Sequence, residues 1–337
     1  MPCRRYNLPL DIILIWVVNQ GFLFGYNLGV ISGCLIMPDF INRFGQTDAN
    51  GNMYLSSTRQ SIITSICQLI ILSPGGPNDN RTFFGALGQA FTSDRFGRRG
   101  SILIWTVIFT VGGAIQTGTQ RSLSQITAGR FVGGLGVGAL SAIVPLYMGE
   151  TAPKALRGSL LVVYQIQIMF GVFLTNVIEL GTHNLNNSAS WRIPLGLQMA
   201  WGLILLIGFL SLPESPRHLL GTGRHEEARQ VVANLNGINI DDSLVDETIE
   251  ELAFAIRAEN EGGKATWTEC FSTRNALWKR TINGMMLQFL QQLNGQNFYY
   301  FYGDTFFQSA GTTLDPYSIQ AILGAVAVIG TLPALVS

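Results

Sequence analysis

Seven runs of about 20 mostly apolar residues dominate this chain, at 11–37, 101–119, 126–148, 159–180, 193–212, 281–307 and 318–336. A helix needs about 20 such residues to cross the roughly 30 Å hydrocarbon core of a bilayer. A soluble domain would interrupt runs of this length with charge. Here only 12% of residues are charged, against about 25% in an ordinary soluble protein. The charge is also segregated, because residues 213–280 hold 12 acidic and 8 basic side chains of the chain's 42. The expectation is an all-α membrane protein with one polar insert.

One further apolar stretch is defective. Residues 61–72 are apolar, Ser73-Pro-Gly-Gly-Pro-Asn-Asp-Asn-Arg81 interrupts them, and 82–91 resumes the pattern. Counted as one span, the broken pair brings the expected helices to eight. Positive charge sets the orientation. A cytoplasmic N-terminus places 15 basic residues inside and six outside. It also puts the Asn186-Asn187-Ser188 sequon outside.

Several functions are excluded at this level. The 21 basic and 21 acidic residues balance, and no basic stripe interleaves with aromatics as nucleic-acid binding requires. The four cysteines are scattered and the three histidines are too few for a metal site. The insert holds no nucleophile–base pair or phosphate loop, so no enzyme is expected. The first apolar run is too long for a cleavable signal.

Within 213–280, the stretches 224–236 and 243–259 carry apolar residues at helical spacing (Val231, Val232, Leu235; Val245, Ile249, Leu252, Ile256). They predict short amphipathic helices forming a cytoplasmic cap. In the membrane runs, polar residues mark a solute path or interhelical contacts. Gln165 and Gln167 sit mid-span in 159–180. Gln288, Gln291, Gln292, Asn294, Gln296 and Asn297 crowd into less than three turns of 281–307. Amides donate and accept without net charge, which suits a neutral polyhydroxylated solute. Gly129, Gly133, Gly134, Gly136 and Gly138 are read as helix packing.

Six motifs follow one another in order: Phe24-Gly-Tyr-Asn-Leu-Gly-Val-Ile-Ser-Gly33, Asp94-Arg-Phe-Gly-Arg-Arg99, Gly129-Arg-Phe-Val-Gly-Gly-Leu-Gly-Val-Gly138, Pro145-Leu-Tyr-Met-Gly-Glu-Thr-Ala-Pro-Lys154 with Arg157-Gly158, Pro213-Glu-Ser-Pro-Arg217 and Gln291-Gln-Leu-Asn-Gly-Gln-Asn297. In them the chain strongly resembles the sugar porter family of the major facilitator superfamily, in its fungal hexose-transporter branch. The resemblance implies a major facilitator fold: a complete six-helix N-terminal half (1–212), a cytoplasmic helical loop domain (213–280) and the first two helices of the C-terminal half (281–337). It marks Gln165, Ile168, Gln291, Gln292 and Asn297 as sugar contacts. Asp94, Arg95, Arg98, Arg99, Glu150, Arg157, Glu214 and Arg217 would form a cytoplasmic gate latch. Arg130 matches the motif arginine at the outer start of the fourth helix. Where proton-coupled relatives carry an aspartate, this chain has Asn27, which cannot titrate, so passive facilitated diffusion is expected.

The implied partners are a sugar or polyol and the lipid bilayer, with no cofactor, nucleic acid or stable protein partner. The implied location is the plasma membrane. A non-transporting sugar sensor or interaction protein is the second reading. The chain departs from the family at residues 67–81, at Ala90 where glycine is usual, and at Ser337, within or just after the eighth helix. The first and last departures point to an imperfect gene model: an unspliced stretch and a premature end after Leu335. The parent protein is then expected to carry sugar, and this 337-residue chain to carry little or none.

Overall fold

The computed structural model describes residues 10–48, 51–71, 82–152, 156–261 and 277–335. Its long helices are α1 (Leu10–Cys34), α3 (Ser57–Ile71), α4 (Thr82–Thr117), α5 (Leu123–Thr151), α6 (Arg157–Thr182) and α7 (Ala189–Leu210). Between α1 and α3 lie the short α2 (Pro38–Phe44) and a small antiparallel hairpin, β1 (Gln46–Thr47) with β2 (Met53–Tyr54). The polar insert supplies α8 (Pro216–Gly221), α9 (His225–Asn236) and α10 (Ser243–Glu261). The chain returns to apolar helices in α11 (Leu277–Leu293), α12 (Gln296–Ser309) and α13 (Pro316–Thr331).

Among the described residues, five helical stretches are long and apolar enough to cross a membrane, and a sixth is the pair of α1 and α2, bent by 81°. The eight expected spans differ from this count for two reasons. The second span is divided between α3 and the start of α4; residues 72–81 of the interrupting segment lie outside the described residues. The expected single helix over 281–307 breaks at Asn294–Gly295, where Gly295 takes a left-handed φ of 74°. α11 and α12 are therefore each short.

Helices in lipid have no hydrophobic drive to associate, so close backbone packing must hold them together. The small residues do this. A Cβ on Gly25 of α1 would fall 1.9 Å from the Ile168 carbonyl oxygen of α6, and one on Gly171 of α6 would fall 2.3 Å from the Phe22 carbonyl. On α4, a Cβ at Gly112 would reach within 2.3 Å of the Gly133 nitrogen of α5. The glycine run of the fourth helix is thus a packing stripe, as its spacing indicated.

Large side chains fill the remaining volume in two clusters. One is built around Phe109, Leu140, Tyr147 and Phe209. The other, at the opposite end, holds Phe40, Trp191, Phe301 and Tyr317. α12 packs on α1 and α13 on α6, while Leu287, Phe289, Leu290 and Leu293 of α11 are exposed. The cap forms as its periodicity predicts. Leu219, Leu220 and Ala228 pack together, as do Val232, Ala233 and Val245, and Leu235 reaches into the membrane bundle's core. Gly237, with a φ of 64°, ends α9; residues 262–276 are outside the described set.

The α1–α6 contact yields a prediction. Gly25→Val would force the two backbones apart at a cost of about 1–3 kcal/mol or more. A lower thermal midpoint of the purified protein is expected, while Gly181→Val, with nothing within 4 Å of its Cβ, leaves it near wild type. Equal midpoints for the two variants would contradict the close packing.

Candidate functional site

At one end of the bundle α4 turns through Gly97, whose φ is 79°. A Cβ there would lie 2.3 Å from Glu214 Oε2 as well as straining the backbone. The turn aims two backbone amides at that carboxylate. Arg98 and Arg99 N–H donate to Glu214 Oε1 at 2.8 and 3.1 Å, and Ser215 N–H adds a third bond at 3.0 Å. The Arg98 guanidinium forks onto Glu150 of α5, with Nε–Oε2 at 3.0 Å and Nη2–Oε1 at 3.1 Å. Such bidentate pairs fix geometry as well as adding energy. The Ser215 hydroxyl donates to the same Glu150 carboxylate, and Arg98 Nη1 sits 3.0 Å from His218 Nδ1. Arg99 Nη2 donates to the Leu210 carbonyl at the C-terminal end of α7, 2.7 Å away, where a helix favours positive charge. The cluster ties α4, α5, α7 and α8 together.

Of the eight residues expected in this latch, the structure brings together Arg98, Arg99, Glu150 and Glu214. Asp94, Arg95 and Arg157 are exposed outside it, with Arg95 lying over the Phe96 ring at 5.8 Å. Arg217 is half-buried in the first turn of α8. The sequence reading missed Gly97, Ser215 and His218, although Gly97 and Ser215 sit inside the very motifs that carried the arginines and Glu214.

Midway through the bundle, Asn27 is buried and its Oδ1 accepts from Gln198 Nε2 of α7 at 3.3 Å. An amide pair therefore occupies this place. Arg130 of α5 is fully buried, and its three guanidinium nitrogens find no hydrogen-bond partner among the described residues.

The expected sugar contacts are dispersed. Gln165 on α6 is exposed, whereas Ile168 is buried in the α1–α6 contact. Gln291 and Gln292 are exposed near the end of α11. Asn297 lies in the first turn of α12, and its side chain is outside the described set. The helix break falls among these amides: Asn294 Oδ1 accepts from the Gln296 N–H at 2.8 Å, and Gln296 Nε2 donates to the Tyr300 hydroxyl at 2.6 Å. Broken membrane helices are where carriers place their solute sites, because the freed backbone can only line a cavity.

A cavity of about 440 Å³ opens between α6, α12 and α13. Asn176, Gln296, Tyr299, Tyr300 and Gln320 line it, among others, and none of the five expected contacts does. Asn176 Nδ2 donates to the Gln320 carbonyl, and Gln320 Nε2 to the Tyr299 carbonyl, each at 3.0 Å. The sequence signal for Asn176, Gln198 and Gln320 was present, as single amides in apolar helices. A lone amide reads as interhelical bonding, and each of these three does make such a bond.

Long apolar helices packed at glycine, a charged cluster at one end, a polar helical insert and a broken, amide-rich helix after it are the features of a major facilitator fold. Solved structures agree on the fold. The chain superposes on the proton:xylose symporter XylE bound to 6-bromo-6-deoxy-D-glucose with a TM-score of 0.78, 24% identity, and coverage of 97% of this chain and 69% of that one. A partially occluded, inward-open XylE from E. coli gives 0.73 at 23% identity, covering 96% and 72%. The family described as "Sugar (and other) transporter" matches residues 13–337. A low-affinity glucose transporter of Kluyveromyces lactis is 37% identical over 325 residues, 96% of this chain and 55% of its own. The high-affinity hexose transporter HXT6 of Saccharomyces cerevisiae is 36% identical over the same length and shares. This chain belongs to the sugar transporter family, and it spans about 55% of the length of these relatives. It is an integral, multi-pass membrane protein.

The latch geometry predicts unequal effects of substitution. Gly97→Ala strains a left-handed turn and displaces Glu214, and Glu150→Gln leaves Arg98 without its ionic partner. Each is expected to destabilise the protein by about 1–3 kcal/mol, read from thermal unfolding in detergent. Arg157→Gln, on an exposed side chain, should stay within about 0.5 kcal/mol of wild type. An Arg157 effect as large as the other two would contradict the assignment.

Proposed function

We propose that this chain forms the first six-helix unit (1–212), the cytoplasmic cap (213–280) and the opening helices of the second unit (281–337) of a carrier for a hexose or related polyol, working by alternating access. The observation that carries the proposal is the amide-lined break between α11 and α12. It faces the first unit across α6 and offers uncharged donors and acceptors to a neutral solute. Gln165, Gln291, Gln292 and Asn297 would hydrogen-bond sugar hydroxyls, with Ile168 giving an apolar contact. Each bond contributes on the order of 0.5–1.5 kcal/mol, so several together hold a sugar tightly enough to select it and loosely enough to release it. The names of the relatives favour glucose and other hexoses. They favour transport over the sensor reading.

The latch of Arg98, Arg99, Glu150 and Glu214 would close the cytoplasmic face. Sugar entry from that side then requires the α4–α5 and α7–α8 ends to part, so the ion pairs break and re-form once per cycle. Asn27 is bonded to Gln198 and cannot take up a proton, which favours movement of sugar down its own gradient. The plasma membrane, with the N-terminus in the cytoplasm, is the proposed setting.

The test is uptake of labelled glucose by yeast cells that lack their own hexose carriers. Residues 1–337 continued with the remaining second-half helices of the Kluyveromyces lactis relative should give saturable uptake that unlabelled hexose blocks and a protonophore does not. Background uptake by the continued chain, once found at the membrane, would contradict the carrier reading.

A further inference from the structure

Three charged side chains are fully buried among the described residues: Arg130 on α5, Glu179 on α6 and Asp304 on α12. None belongs to the latch or to the expected sugar contacts. The two acids flank the same last turn of α1, Ser32-Gly33-Cys34. Glu179 accepts from the Cys34 thiol at 3.8 Å, and it occupies the space where any Cβ on Gly33 would lie, 2.4 Å from Oε2. Asp304 stands beside the Ser32 side chain, and among the described residues neither of its oxygens has a hydrogen-bond partner within normal distance. The end of α1 is the negative end of its dipole, an unfavourable place for two carboxylates. Cys34 lies within electrostatic reach of Glu179, Arg130 and Asp304 together.

The other titratable groups facing the site do not supply the missing positive charge. From α1 comes Tyr26 and from α13 Tyr317, whose hydroxyl donates to the Gly33 carbonyl at 3.2 Å. His183, at the end of α6, stacks on Tyr317 at 4.4 Å and lies 3.9 Å from Asp315, the carboxylate that also acts on Asp304. Among the described residues the bundle thus buries two acids and one guanidinium, and Arg130 is within electrostatic reach of the Cys34 that lies between the acids. Uncompensated charge inside a bilayer costs several kcal/mol, and a group that can neutralise itself does so.

We propose that Glu179 and Asp304 together hold one proton at neutral pH, forming a proton-binding site at the end of the bundle opposite the latch. The proton comes from water on that side and converts one carboxylate to a carboxylic acid. The consequence rests on the carrier reading. Glu179 and the α1 turn belong to the first unit and Asp304 to the second, so opening that face separates the acids, hydrates Asp304 and returns the proton to the side it came from. No proton crosses, and sugar movement stays passive while the opening equilibrium depends on the pH of that side.

The test is infrared spectroscopy of the purified 337-residue chain in lipid vesicles at neutral pH, which needs no transport and stands apart from the uptake assay. The wild type should show the carbonyl stretch of one un-ionised carboxyl group. That band should be lost in Glu179→Gln and equally in Asp304→Asn, since either change leaves one acid to balance Arg130. A wild-type spectrum without the band overturns the proposal, as does a band that survives in either variant. The wild-type measurement decides the first point even where a variant fails to fold.

Discussion

A polar group inside a bilayer has only the protein to bond with, and the arrangement of this chain follows from that constraint. Backbone groups satisfy it by staying helical, and the helices then hold together by approaching closely at glycine. Gly25 against the Ile168 carbonyl and Gly112 against the Gly133 nitrogen set how near α1 comes to α6 and α4 to α5. Buried amides pair across those contacts, as Gln198 does with Asn27. Where the chain violates the rule, at the Asn294–Gly295 break and at the Glu179–Asp304 pair, the structure points to function.

The latch shows how the same constraint is met at the membrane edge. Glu214 collects three backbone N–H groups and Glu150 collects a guanidinium and a hydroxyl. Each carboxylate is satisfied mainly by groups from other helices. Such a cluster forms or breaks as a unit, as the proposed closure between helix pairs would need. Its energy is modest per bond, so in the proposed carrier the open and closed arrangements would differ by only a few kcal/mol.

Much of this was legible in the sequence because the signals are periodic or local. Apolar runs marked α5, α6 and α7 to within a few residues, and Val231, Leu235, Val245 and Ile249 foretold the cap. Gly129, Gly133 and Gly136 announced the α4–α5 seam. Arg98, Glu150 and Glu214 stand in ordered motifs and meet in one cluster, whereas Asp94, Arg95 and Arg157 of the same motifs are exposed, because a motif marks neighbours in sequence and not the direction of each side chain. The break at Gly295 was visible as an Asn-Gly pair, yet the surrounding apolar run outweighed it. Long-range pairings such as Gln198 with Asn27, or Glu179 with Asp304 around one turn of α1, have no local signature. They depend on which helix faces which.

The central claim is that the amides beside the α11–α12 break hold sugar once the second unit closes over them. Equilibrium binding of labelled glucose to the purified chain, continued with the second-half helices of a relative, tests it most directly. The account predicts that Gln291→Ala with Gln292→Ala weakens binding by roughly tenfold or more, about 1.4 kcal/mol, with the thermal midpoint little changed. Undiminished affinity in a folded double variant would contradict it.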